Sequence, residues 1–307
     1  MDIFLQQLIN GLILGSIYAL VALGYTMVYG VLGLINFAHG EIVMIGAMVA
    51  LAVIHALISS VLPVPIILLM GILIAILVCI LLGYGIERFA YRPLRKAPRL
   101  APLITAVGVS IILQNVAMII WGRQYVAFPS ILPTDIHTIA GANITVLQIL
   151  IFLLAMSIMT GLIFLVKKTR LGRAMRATAQ NPEIATLMGV NVNTVISITF
   201  IIGSALAAVA GVMISAYYGL AHYYMGFLLG LKAFSAAVLG GIGNLGGAML
   251  GGLLLGMIES FGAGYIGPLT GGFLGSHYQD IFAFLVLIIV LILRPSGLLG
   301  KPLAERT

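Results

Sequence analysis

Eight windows of this chain contain no Asp, Glu, Lys or Arg and are mostly apolar: 3–35, 42–62, 64–86, 100–122, 144–166, 195–218, 233–258 and 281–293. A bilayer core takes about 20 apolar helical residues per crossing, and most of these windows are long enough. Only 7% of all residues are charged, whereas a water-soluble domain needs about 25% to wet its surface. Lipid must therefore be the solvent, and spanning segments must satisfy their backbone internally. The expected fold class is all-α: a polytopic integral membrane protein with about eight to ten transmembrane helices, Gly-broken or re-entrant in places, in one transmembrane domain, 1–307. The N-terminus MDIFLQQL has no basic stretch before its apolar run, so a retained first span is expected rather than a cleaved signal peptide.

A net charge of +7 would suit a nucleic-acid partner, but its placement does not. Of 15 basic residues, five fall in 88–99 (Arg88, Arg92, Arg95, Lys96, Arg99), five in 167–176, and three in the tail (Arg294, Lys301, Arg306). Basic clusters between apolar runs mark cytoplasmic loops. Loops 88–99 and 167–194 and the C-terminus are thus expected inside, and 123–143 outside. Pro63 and Pro65 mark the turn between the second and third windows. This orientation makes a demand: Ile196 to Arg294 must begin and end on one side, yet holds three windows. A Gly-rich piece such as 227–241 is expected to add a crossing or a re-entrant half-helix. Window 3–35 exceeds one span and carries Gly11, Gly15, Gly24, Gly30 and Gly33, so a break is expected there too.

Glycine also repeats at four-residue spacing in Gly243, Gly247 and Gly251, and in Gly252 and Gly256. Such stripes let helix backbones approach closely in lipid. They suit either tight packing or a moving interface. A short echo between GEIVMIGAM (40–48) and GNLGGAM (243–249) is compatible with an internal repeat.

The segment NPEIATLMG, 181–189, carries a full set of helix signals. Asn181 is a good N-cap, Pro182 fits the first helical position, and Glu183 puts negative charge in the first turn. Gly189 suits a left-handed C-terminal cap. The helix has about two turns, too few to be stable alone. Ile184, Leu187 and Met188 share one face. That face either folds back on neighbouring spans, lies at the lipid interface, or is presented to a soluble partner with a complementary groove. Arg173 and Arg176 would steer such a partner.

Within GLINFAHGEIVMIGA, Asn36, Phe37, His39 and Glu41 place an amide, an imidazole and a carboxylate in apolar surroundings. One His, one Glu and one Asn are a poor set for zinc, and no metal site is expected. No Ser, His and acid arrangement or catalytic carboxylate pair appears, so the chain is not expected to be an enzyme. One possibility is a helix start, with Asn36 as N-cap and Glu41 in an early turn. The other is a broken helix beside a translocation path. Freed amides, Asn36 and His39 would then meet a substrate carboxylate, and Glu41 its ammonium. Lys232 and Glu259 are either a structural ion pair or part of that path. Glu87 beside Arg88, and His277 and Asp280 before the last window, are expected at interfaces.

Three segments carry a resemblance. GRAMRATAQNPEIATLMGVN resembles the coupling loop of permeases of ABC importers for branched-chain amino acids. LGYTMVYGVLGLINFAHGEIVMIGA and KAFSAAVLGGIGNLGGAMLGG look like that family's other two signatures, in matching order over nearly the whole chain. The LivH-type subunit of the permease pair is the most similar. The resemblance implies a bacterial inner-membrane, multi-pass permease for leucine, isoleucine and valine, with urea or short amides as alternatives. It implies a second permease subunit, two cytoplasmic ATPase subunits that bind ATP and magnesium, and a periplasmic binding protein. No cofactor is expected in this chain, which lacks a G-x-x-x-x-G-K-[ST] loop. Coupling then falls to Arg173, Arg176, Asn181, Pro182, Glu183, Ile184, Leu187, Met188 and Gly189. An ion-coupled transporter is a separate possibility, kept open by Glu41 and Glu259, but it would leave the capped helix without a purpose.

Overall fold

The computed structural model describes residues 2–95, 97–98, 100–129, 135–139, 141–271, 273 and 278–300. Lys96, Arg99, His277, Lys301 and Arg306 lie outside them. Among the described residues the helices are α1 (Asp2–Leu32), α2 (His39–Leu57), α3 (Val64–Gly85), α4 (Leu100–Trp121), α5 (Val146–Lys168), α6 (Arg170–Gln180), α7 (Pro182–Leu187), α8 (Val192–Tyr218), α9 (Met225–Gly240), α10 (Leu245–Leu269) and α11 (Gln279–Leu293). Seven of them, α1 to α5, α8 and α10, are long and apolar enough to cross a membrane; α9 and the apolar part of α11 are shorter. The protein is a polytopic all-α membrane protein. Its strands are brief: β1 (Val126–Ala127), β2 (Ile136–Ile139), β3 (Ala142–Thr145) and β4 (Leu220–Ala221). β1 pairs antiparallel with β4, and β2 with β3.

The breaks fall differently from expectation. α1 runs unbroken through Gly11, Gly15, Gly24 and Gly30 and ends before Gly33, whose φ is +66°. A helical glycine costs only about 1 kcal/mol against alanine, which tertiary packing readily offsets. Here the offset is visible. A Cβ on Gly11 would lie 2.8 Å from Met257 Cα, and one on Gly15 2.8 Å from Leu253 Cα. These glycines are contact points for α10 rather than breaks. The 233–258 window, by contrast, is two helices. α9 is a 16-residue helix ending at Gly240, and Gly241 and Gly243, with φ of +105° and +90°, turn the chain into α10. A Gly-rich additional segment is expected in this region, and α9 is the helix found there. Both echo sequences open a helix after such a turn, one following Gly33 and the other following Gly243.

The chain forms two units, residues 1–26, 132–160 and 232–307, and residues 27–131 and 161–231. In the first, α10 uses two glycine faces. Gly252 and Gly256 meet the backbone of α1 at Ala19, Gly15 and Gly11, while Gly247 and Gly251 meet α9 at Gly240 and Ala236. The four-residue repeat read from sequence therefore serves two neighbours, with close backbone approach as the gain. α11 packs on α10.

In the second unit α2, α3 and α8 pack on one another. Gly46 meets Ala208, Gly211 meets the Val43 carbonyl, and Gly83 meets Ser204. A π-helical segment, Ile86–Tyr91, and a short 3-10 turn, Arg92–Leu94, follow α3. α6 buries Gly172, Met175 and Thr178 and packs against α7 and α8.

Candidate functional site

α7 is built as its sequence dictates. Asn181 sits at the N-cap in extended backbone, and its Oδ1 accepts from the Glu183 and Ile184 amides at 2.9 and 3.0 Å. At the other end the Val190 amide donates to Ala185 O and the Gly189 amide to Thr186 O, both at 3.0 Å. With Gly189 at φ +82° these bonds complete a Schellman cap. Ala185 faces inward and is buried, which seats the helix on its neighbours. The opposite face is bare: Ile184 is 57% exposed, Leu187 87% and Met188 80%. The fold-back onto neighbouring spans does not occur. Arg173 is exposed on α6, and exposed Arg176 donates to the Val166 carbonyl.

The polar cluster at the start of α2 is buried, with Asn36 2%, His39 1% and Glu41 1% exposed and Phe37 half-buried. Asn36 is not the N-cap; Ala38 holds that position. Asn36 acts from two residues earlier, its Oδ1 accepting from the Ala38 amide at 3.1 Å and its carbonyl from the His39 amide at 3.0 Å. The Tyr91 hydroxyl adds a bond to Asn36 Oδ1 at 3.2 Å. The chain thus turns through an Asx-type loop before the helix begins. Asn36 Nδ2 has no hydrogen-bond partner among the described residues.

Glu41 lies one turn further on. Its Oε1 accepts from Ser110 Oγ at 3.0 Å and from Gln114 Nε2 at 2.7 Å, both on α4. Its Oε2 has no hydrogen-bond donor among the described residues. That oxygen rests against Gly226, where a Cβ would come within 2.6 Å of it. Gly40 likewise faces Gly226 and Gly230 on α9. Two helix starts thus meet through glycine around a carboxylate with one oxygen uncommitted.

Lys232 and Glu259 belong to the other unit and form an ion pair, Nζ to Oε1 at 2.7 Å. Tyr18 donates to Glu259 Oε2 at 2.9 Å and accepts from Lys232 at 3.3 Å. Lys232 also lies 2.7 Å from Asp280 Oδ1. Asp280, expected as an interfacial residue, is instead the second acid on a buried lysine. A buried ammonium held by two carboxylates and a phenol is well compensated, a geometry that suits the structural ion pair of the two readings.

Residues 7–291 match the family described as branched-chain amino acid transport system, permease component. The chain belongs to this permease family. It is 48% identical to the high-affinity branched-chain amino acid transport system permease protein BraD of Pseudomonas aeruginosa, covering 99% of this chain and 98% of that one. It is 44% identical to the corresponding LivH of Escherichia coli, with 99% and 97% covered. A probable branched-chain amino acid transport permease protein LivH of Methanocaldococcus jannaschii is 27% identical over 97% of this chain. No solved structure matches.

One feature of this permease escaped the sequence. Glu87 was expected at an interface beside Arg88, yet it is fully buried and pairs with Arg95. Its Oε2 accepts from Ser197 Oγ at 2.7 Å, and Arg95 also donates to Asn193 Oδ1 at 2.7 Å. Burial pulls the Arg95 pKa below its ordinary value, and the Glu87 carboxylate opposes that pull. The pairing spans eight residues and depends on the π-helical stretch Ile86–Tyr91, so no i, i+4 rule anticipates it. It ties the end of α3 to the first turns of α8.

Proposed function

We propose that this permease is the membrane-spanning subunit of an ATP-driven importer for leucine, isoleucine and valine. The observation that carries the reading is the bare apolar face of α7, Ile184, Leu187 and Met188, on a helix capped at both ends and seated by Ala185. Helix-in-groove docking needs such a face, and cytoplasmic ATPase subunits are its natural partners in this family. Arg173, Arg176, Asn181, Pro182, Glu183 and Gly189 support that contact. A second permease subunit completes the path, a periplasmic binding protein delivers substrate, and ATP and magnesium stay on the ATPases. Loops 88–99 and 167–194 and the C-terminus face the cytoplasm.

A physical route for coupling exists within one unit. α7 packs on α6 and α8, and α8 packs on α2. A push on α7 therefore reaches the helix whose first turns carry His39 and Glu41. There the uncommitted Glu41 Oε2 is the place for a substrate ammonium, and Asn36 Nδ2 a donor for its carboxylate. The relatives' names favour branched-chain amino acids over urea and short amides. The test is reconstitution with the partner subunits in proteoliposomes. ATP-dependent uptake of leucine but not urea is expected; urea uptake, or leucine uptake by this chain alone on an ion gradient, would overturn the proposal.

A further inference from the structure

Between the end of α3 and the start of α8 lies a cavity of about 370 Å³, lined by Tyr84, Arg92, Asn191, Asn193, Thr194, Ser197, Ile198 and Ile201. Three of its polar groups, on Arg92, Asn191 and Asn193, can offer donors to an anion. Arg92 brings a guanidinium, and no acidic side chain is among the lining residues. The carboxylate behind Ser197, Glu87, is already matched by Arg95. Asn193 uses its Oδ1 to accept from Arg95, and Asn191 uses its Oδ1 to accept from the Thr194 amide. Each therefore keeps its NH₂ for an incoming acceptor. The cavity sits at the first turn of α8, a 27-residue helix whose N-terminal dipole end favours an anion.

The remaining wall is apolar. Ile198 and Ile201 are half-buried and share a side of α8, and Tyr84 continues a row of exposed α3 residues, Leu77 and Leu81. A free inorganic anion has no use for such a track. An acyl chain does. The cavity also belongs to the end of the spans that carries the basic clusters, where anionic lipid accumulates.

We infer that this cavity is a binding site for an anionic phospholipid, with the phosphodiester on Arg92, Asn191, Asn193 and Thr194 and the acyl chains along Tyr84, Leu81 and Leu77. Because α8 begins three residues after α7 ends its cap, at Gly189, the lipid would set the local rigidity of the segment that receives the push from α7.

Native mass spectrometry of the full chain, with phosphatidylglycerol or phosphatidylcholine added to the detergent micelle, tests the site. Phosphatidylglycerol should be retained in preference, Arg92→Gln should lower its retention about fivefold, and Arg88→Gln, outside the cavity, should not. Excess inorganic phosphate should fail to displace it, since the acyl contacts are not shared by the free ion. Should Arg92→Gln not fold, Ile201→Trp, which fills the apolar wall, must lower retention instead. Equal retention of both lipids, unchanged retention in the folded variants, or displacement by phosphate would each overturn the assignment, the last in favour of a free-phosphate site.

Discussion

Lys232 Nζ stands 2.7 Å from Glu259 Oε1 and also 2.7 Å from Asp280 Oδ1, with all three residues drawn from separate helices. The two acids are unequal, since Glu259 is buried and the Asp280 side chain is 29% exposed. Removal of the shared lysine strands a buried carboxylate, whereas loss of one acid leaves the lysine paired. Lys232→Met should therefore cost about 3–5 kcal/mol of stability and sharply lower membrane abundance. Glu259→Gln should cost less, because Asp280 and Tyr18 remain. Thermal unfolding of both variants in detergent checks the order, and equal losses would contradict it.

Glycine positions make a second contrast. A Cβ on Gly211 would strike the Val43 carbonyl, while one on Gly108 meets nothing within 4 Å. Gly211→Ala should disrupt the α2 and α8 crossing and reduce folded yield. Gly108→Ala should be neutral or stabilise by up to about 1 kcal/mol through helix propensity. Unfolding temperatures of the two purified variants measure the difference.

Asn181 holds two first-turn amides of α7. Asn181→Ala should destabilise that short helix by about 1 kcal/mol without altering membrane insertion. Faster hydrogen exchange at Glu183 and Ile184, with uptake lowered but not abolished, is the expected result. Unchanged exchange would mean that the Schellman cap alone holds the helix.

Glu41→Gln preserves the shape and the Oε1 acceptor that Ser110 and Gln114 use. Abundance should be retained while uptake falls about ten- to a hundredfold, the scale of a lost hydrogen bond to a charged group. Normal uptake in this variant would remove Glu41 from the translocation path and leave it a structural role.

The sequence carried the membrane class, most of the spans and the capping of α7, because charge-free length and capping chemistry are local properties. It misplaced what depends on tertiary contact. Gly11 and Gly15 read as breaks because their α10 neighbours lie more than two hundred residues away. Asn36 read as the N-cap because its reach to the Ala38 amide, rather than to the helix proper, depends on how the turn after Gly33 is folded. Glu87 and Asp280 read as interfacial because their partners, Arg95 and Lys232, come from a π-helical register and from another helix. Exposure of Ile184, Leu187 and Met188 was legible only as one of several outcomes, since a shared face does not say what covers it.

The most direct measurement is on Leu187, the most exposed of the three α7 residues at 87%. Leu187→Asp puts a charge on the proposed docking face at a largely exposed position, so the permease should reach the membrane at normal abundance. In proteoliposomes with its partner subunits, ATP-dependent leucine uptake should fall to background while the ATPases continue to hydrolyse ATP. Normal leucine uptake by this variant would contradict the account.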